Sequence, residues 1–206
     1  MIPTAEIKKL RAFHGRSELK KDIVEEILNH QKQDQIVKGT YGHENGKWRG
    51  CAVGCSIHSL NVRYGKNLKT DDHKSYETEL GIPESLARFE DYLFESMPTD
   101  KAMKWPAEFM KAVYTGANLS MVAPKFIAGT LRDVVKLKYV KDDKAVVKAV
   151  LNTAKLWEQV ISGKVVKQAA WSAAESAAWS AAWLAAESAA SYKMSRRLLK
   201  IIRACK

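Results

Sequence analysis

The chain has 206 residues, 46% of them hydrophobic, and a formal net charge of +11. That length can bury a core unaided, and three cysteines, an odd number, argue against a disulfide framework and for a reducing, cytoplasmic setting. No run approaches the roughly 18 uninterrupted apolar residues of a membrane span. The opening "MIPTAEIKKLRAF" lacks the apolar centre of a signal peptide, so a soluble protein is expected.

Apolar residues recur at helical spacing along most of the chain. Ile7, Leu10 and Phe13 mark a short first helix broken at Gly15, and Ser17 opens a second that buries Leu19, Ile23, Ile27 and Leu28. "QIVKGTYGHENGKWRG" is the exception: two β-capable runs around Asn45-Gly46 predict a small hairpin near 36–50. A helix follows over about Cys51–Tyr64. "GIPESLARFEDYLFESMP" starts at Pro83, carries Leu86, Phe89, Leu93 and Met97 on one stripe and stops before Pro98. Further helices are expected after Trp105-Pro106 as far as Gly116, over about Ser120–Val135, and from Asp142 to Ile161. The expected fold class is therefore all-α.

The remainder differs in kind. In "QAAWSAAESAAWSAAWLAAESAAS", Trp171, Glu175, Trp179, Trp183 and Glu187 stand four apart among alanines and serines, a slanting ridge on one long helix. The chain divides on this reading into a helical globular domain over 1–162 and an Ala/Trp-repeat helix over 163–206, with self-association through 169–192 as one use of the ridge. "GCAVGCSIH", "GIPESLARFEDYLFE" and the "AAWSAAESAA" tract together resemble an uncharacterised family of phage and bacterial proteins. The resemblance implies a mobile-element origin, with no activity, cofactor or site residue attached.

"RGCAVGCSIHSL" concentrates the chemistry-bearing side chains. On a helical wheel Cys51, Cys55 and His58 share one face, and Val53, Ile57, Leu60 and Tyr64 the other. Cys51 and His58 stand about 10.5 Å apart along the axis, too far to share one metal ion. Either Cys51 with Cys55 or Cys55 with His58 could supply half a metal site, completed by His43 and His73 from flanking loops, a spacing that matches no standard zinc module. A nucleophile reading puts Cys51 in the first turn, where backbone N–H groups favour thiolate, with His73 beside Asp71 and Asp72 as its base. Cysteines behaving as small buried hydrophobes beside Gly50, Ala52 and Gly54 make the third reading.

Basic side chains supply a different lead. Lys193, Arg196, Arg197, Lys200, Arg203 and Lys206 fall in the last fourteen residues with no acid between them. Their helix is amphipathic, with Met194, Leu198, Ile201 and Cys205 opposite. Lys47, Trp48 and Arg49 stand beside the start of the cysteine helix, a place for an anion. No Walker loop, dinucleotide turn, H-E-x-x-H or G-x-S-x-G is present, and no cofactor is called for. The leading expectation is a non-enzymatic accessory protein binding an anionic partner, a nucleotide-type molecule or nucleic acid, in host counter-defence. The alternatives are a hydrolase or transferase using Cys51 or Cys55 with His58 or His73, and a structural protein that self-associates through its C-terminal helix.

Overall fold

The computed structural model describes residues 10–44, 47–167, 170 and 188–206. Its elements in chain order are α1 (Ser17–Lys32), β1 (His43–Glu44), β2 (Trp48–Arg49), α2 (Ala52–Tyr64), α3 (Ser75–Leu80), α4 (Glu84–Ser96), α5 (Thr99–Ala102), α6 (Trp105–Ala112), α7 (Val122–Val134), α8 (Lys138–Lys141), α9 (Lys144–Ile161) and α10 (Ser188–Arg203). The class is all-α. The hairpin survives as a two-residue antiparallel ladder pairing His43 with Arg49 and Glu44 with Trp48, while its tip at 45–46 lies outside the described residues.

Local chemistry sets the helix ends. Asp143 caps α9 by accepting the N–H groups of Ala145 and Val146, each at 3.0 Å. Pro83 stands just before α4, where its missing N–H costs nothing, and Pro124 is tolerated in the first turn of α7. α6 stops at Ala112, short of Gly116, where Val113 turns extended, and the Lys20 ammonium takes the freed carbonyls of Lys111 and Val113 at 3.2 and 2.6 Å. The expected first helix is, in its described part, a 3-10 turn at Ala12–Gly15. Ala12 spends its backbone on another segment instead, donating to Ala117 O at 3.0 Å and accepting from Gly116 N–H at 2.8 Å.

α1 and α2 pack on one another, α4 and α6 close over them, and α10 returns to lie against α4, α6 and α7. Phe13, Ile23, Ile57, Tyr76, Trp105 and Phe109 fill the resulting core. Leu198, Leu199 and Ile202 of α10 belong to that same core, so the described end of the second segment packs into the first. Its buried stripe runs Ser191, Ser195, Leu198, Leu199 and Ile202, whereas Ile201 and Cys205 are only half-buried. A smaller second core gathers Leu131, Val134, Val140, Val150 and Ala154 from α7, α8 and α9. The tryptophan repeat, and most of the 169–192 stretch expected to self-associate, lie outside the described residues. Among the described residues no helix is long and apolar enough to cross a membrane.

Candidate active site

The start of α2 is a thiol in a backbone cradle. Cys51 is the N-cap residue, and its Sγ accepts from the Gly54 N–H at 3.4 Å. One of the donors freed at the helix N-terminus thus points at the sulfur. A strap, residues 39–42, runs over this turn. The Cys51 N–H donates to Thr40 O at 2.7 Å, and Tyr41 O lies so close to Gly54 that a Cβ there would stand 1.9 Å from it. Gly39 and Gly42 bracket the strap at φ +80° and +149°, conformations that side-chain-bearing residues avoid. Beneath it Cys51 is 1% exposed, whereas Tyr41 on top is 38% exposed.

α4 brings carboxylates to the thiol. Asp91 Oδ2 accepts from the Tyr41 hydroxyl at 2.8 Å and from His73 Nε2 at 3.1 Å. Both Glu95 oxygens accept the Gly39 N–H at 3.1 Å, which ties the strap to α4 a second time. Cys51 Sγ and one oxygen each of Asp91 and Glu95 lie within 4.8 Å of one another.

Burial governs how these groups ionise. It pushes the Cys51 thiol well up, and the facing Asp91 charge pushes it further, against the lowering pull of the Gly54 and Val53 N–H groups. Burial also pushes Asp91 upward. Hydrogen bonds from His73, Tyr41 and Cys51 outweigh that and leave its carboxyl below the ordinary range. An ionised Asp91 can only accept, so His73 carries its proton on Nε2. Tyr41 and Glu95 are both raised, chiefly by burial, and Asp91 adds to each. The resting site is thus a neutral thiol beside a fixed carboxylate.

A second layer lies underneath. Cys55 donates to Gly50 O at 3.4 Å, and Ser56 and Ser59 return their hydroxyls to the carbonyls of Ala52 and Cys55 at 3.2 and 2.8 Å. Tyr76 and Glu90 face each other fully buried; burial raises both well above their usual values. Glu90 is therefore a neutral carboxylic acid in the core, its backbone carbonyl taken by Trp105 Nε1 at 3.0 Å.

The residues singled out in the sequence are partly brought together. Cys51 and His73 meet through Asp91, and the carboxylate orienting His73 is Asp91 rather than its neighbours Asp71 and Asp72. Asp72 instead receives the Lys74 N–H and the Ser75 hydroxyl, both at 3.1 Å, at the start of α3. His58 stacks flat on Trp48 at 4.0 Å between centroids, with His30 against both rings. Lys47 donates to Gln33 O, and Arg49 stands exposed opposite His43 in the ladder. Lys47, Trp48 and Arg49 thus face separate neighbours. Arg196 and Arg197 pair with Glu108 and Asp133, and Lys200 and Arg203 lie at the end of the same helix.

Tyr41, Glu90, Asp91 and Glu95 escape the sequence reading. Their one sequence signal is a second stripe on α4, Ala87, Glu90/Asp91 and Phe94, in which acids occupy the spacing of core residues. For a metal, Cys51, Asp91 and Glu95 are the one group of at least three donors among the described residues. A thiolate with two carboxylates would suit a divalent ion. Asp91 Oδ2 is already taken by Tyr41 and His73, which leaves Oδ1, without a hydrogen-bond partner among the described residues, as the oxygen Asp91 could offer an ion. Cys55, His58, His43 and His73 do not converge on an ion site among the described residues. Compared with known proteins, the chain matches no family model, no curated protein and no solved structure.

Proposed function

We propose that the protein is a thiol-dependent hydrolase or acyltransferase with Cys51 as its nucleophile. One observation carries this reading: the Cys51 sulfur stands between the Gly54 N–H and a carboxylate that His73 and Tyr41 hold in place. Perturbed titratable groups that converge on one spot are characteristic of sites built for proton transfer.

Attack is coupled to deprotonation, because burial keeps the resting sulfur protonated. Once the strap over 39–42 lifts to admit substrate, Sγ adds to an acyl carbonyl as its proton passes to Asp91, and collapse of the tetrahedral adduct returns that proton to the departing amine or alcohol, leaving a thioester. Water, or a second nucleophile in the transferase case, then adds to the thioester. Its proton goes to Asp91 and from there to the released thiolate. His73 and Tyr41 are positioning residues, acting through Asp91. Two carboxylates within 4.8 Å of the sulfur disfavour an anionic substrate and favour a neutral or cationic one. Lys38, whose ammonium is held by the carbonyls of Glu95 and Met97, offsets part of the charge of Glu95.

p-Nitrophenyl acetate is a direct probe. Intact-mass and peptide analysis should find one acetyl group, on Cys51 and not on Cys55 or Cys205. Asp91→Asn should slow its transfer by about 10²-fold or more while circular dichroism stays unchanged. An unmodified Cys51 in the folded chain, or equal rates in Asp91→Asn and the parent, would overturn the reading.

A further inference from the structure

On another side of the molecule, α7 and α10 enclose a cavity of about 300 Å³, at the small end of the range that holds ligands. Its charge is opposite to that around Cys51. Lys136, Lys193 and Arg197 line it against one carboxylate, Asp133. Asp133 holds two of these cations in place, Lys136 at 3.2 Å and Arg197 through a close ion pair. A single carboxylate cannot neutralise three cations, so the lining keeps a positive surplus.

Two further observations show a built recess. Arg197 passes over α7 at Gly129, its guanidinium and Cδ in van der Waals range, 3.4–3.6 Å, of where a Cβ would stand. The Thr130 hydroxyl, on the same wall, is buried and has no hydrogen-bond partner among the described residues. An unused buried hydroxyl beside fixed cations is half of an oxyanion site. The rest of the lining is apolar, from Val134, Leu137 and Met194.

We propose that this recess binds a small amphipathic anion, a phosphomonoester with an apolar substituent. Its oxygens take Thr130 Oγ1, Lys193 and the free guanidinium N–H groups of Arg197, and its apolar part lies on Val134, Leu137 and Met194. This site is independent of Cys51 and stands or falls separately from the thiol chemistry.

The test is a titration of isotopically labelled full-length protein by amide NMR, with hexyl phosphate, inorganic phosphate and hexanol as probes. Hexyl phosphate should move the amides of 129–137 and 192–198 saturably, and each half-molecule alone should bind about tenfold more weakly or worse. Thr130→Val, which keeps the shape, and Lys193→Ala should each weaken hexyl phosphate by about 3- to 10-fold. Lys200→Ala, on the same helix outside the recess, should leave it unchanged. Shifts that never saturate, that spread over lysines elsewhere, or that persist undiminished in Thr130→Val and Lys193→Ala would overturn the proposal.

Discussion

The turn around Cys51 and the seam between α7 and α10 handle charge in opposite ways. At Cys51 a buried thiol and a buried carboxylate are covered by Tyr41 and Glu95, and these groups shift one another. Along the seam the cations of α10 stay partly in water, paired with single acids on α6 and α7. Buried groups of the first kind are costly to keep and sensitive to small changes; solvated pairs of the second kind contribute little each. Clustered burial, rather than net charge, separates the proposed thiol site from a basic surface. The formal charge of +11 is concentrated in the tail, yet the strongly shifted buried groups lie elsewhere, at Cys51, Cys55, Tyr76 and Glu90.

Four substitutions test how far that contrast holds, and the largest effect belongs to the strap. Gly54→Ala sets a methyl against the Tyr41 carbonyl oxygen, where neither backbone has room to yield. It should cost about 3 kcal/mol in denaturant melts and raise the alkylation rate of Cys51 as the strap lifts. An unchanged midpoint would mean that the strap is loosely held.

Asp91→Asn comes next, at about 2 kcal/mol, since the charged acceptor of two hydrogen bonds becomes neutral. Asp91 is held below its ordinary range, so its contribution is present above the unfolded value near 3.9 and disappears as pH falls through the lower folded value. Parent and variant should therefore converge in acid. A gap that persists there would trace the loss to packing instead.

Glu90→Gln carries the opposite sign. Its folded value is raised, so the folded state favours the proton, and stability falls as pH climbs past the unfolded value near 4.3. The fall approaches about 1.4 kcal/mol per pH unit until the buried acid itself ionises. The glutamine variant should escape this and melt higher than the parent at pH 7, with the advantage shrinking toward pH 4. Parallel curves would show that Glu90 is not held neutral.

Arg196→Ala should do least, below about 1 kcal/mol, because its pair with Glu108 is well exposed on both sides. A loss as large as that of Asp91→Asn would erase the contrast between the two regions.

Much of the architecture was legible from punctuation and period. Pro83, Asp143 and the 3.6-residue stripes locate α4 and α9 to within a residue or two. The cysteine helix likewise begins where its small residues and flanking Gly50 suggest. The site was legible by half. Cys51 and His73 stand out because their types are scarce in this chain, whereas Asp91 and Glu95 are two acids among 23, and only the packing of α4 on α2 selects them. His58 misleads for the converse reason. It shares a wheel face with Cys51, but Trp48 crosses from the hairpin and stacks on it. The first segment misleads too, because Ala12 finds its backbone partners more than a hundred residues away, at 116–117, which no local pattern encodes.

One helix serves two interiors. The early residues of α7, Val122 and Phe126, belong to the main core, while Leu131 and Val134 join α8 and α9 in the smaller one. The hairpin of α7 and α9 can therefore fray from its far end, with amides over 140–160 exchanging hydrogen through local opening while those of α1, α2 and α4 wait for global unfolding. A residue such as Val150 would set the lifetime of that outer lobe without touching the thiol, so the molecule has two stabilities that evolution or engineering can tune apart.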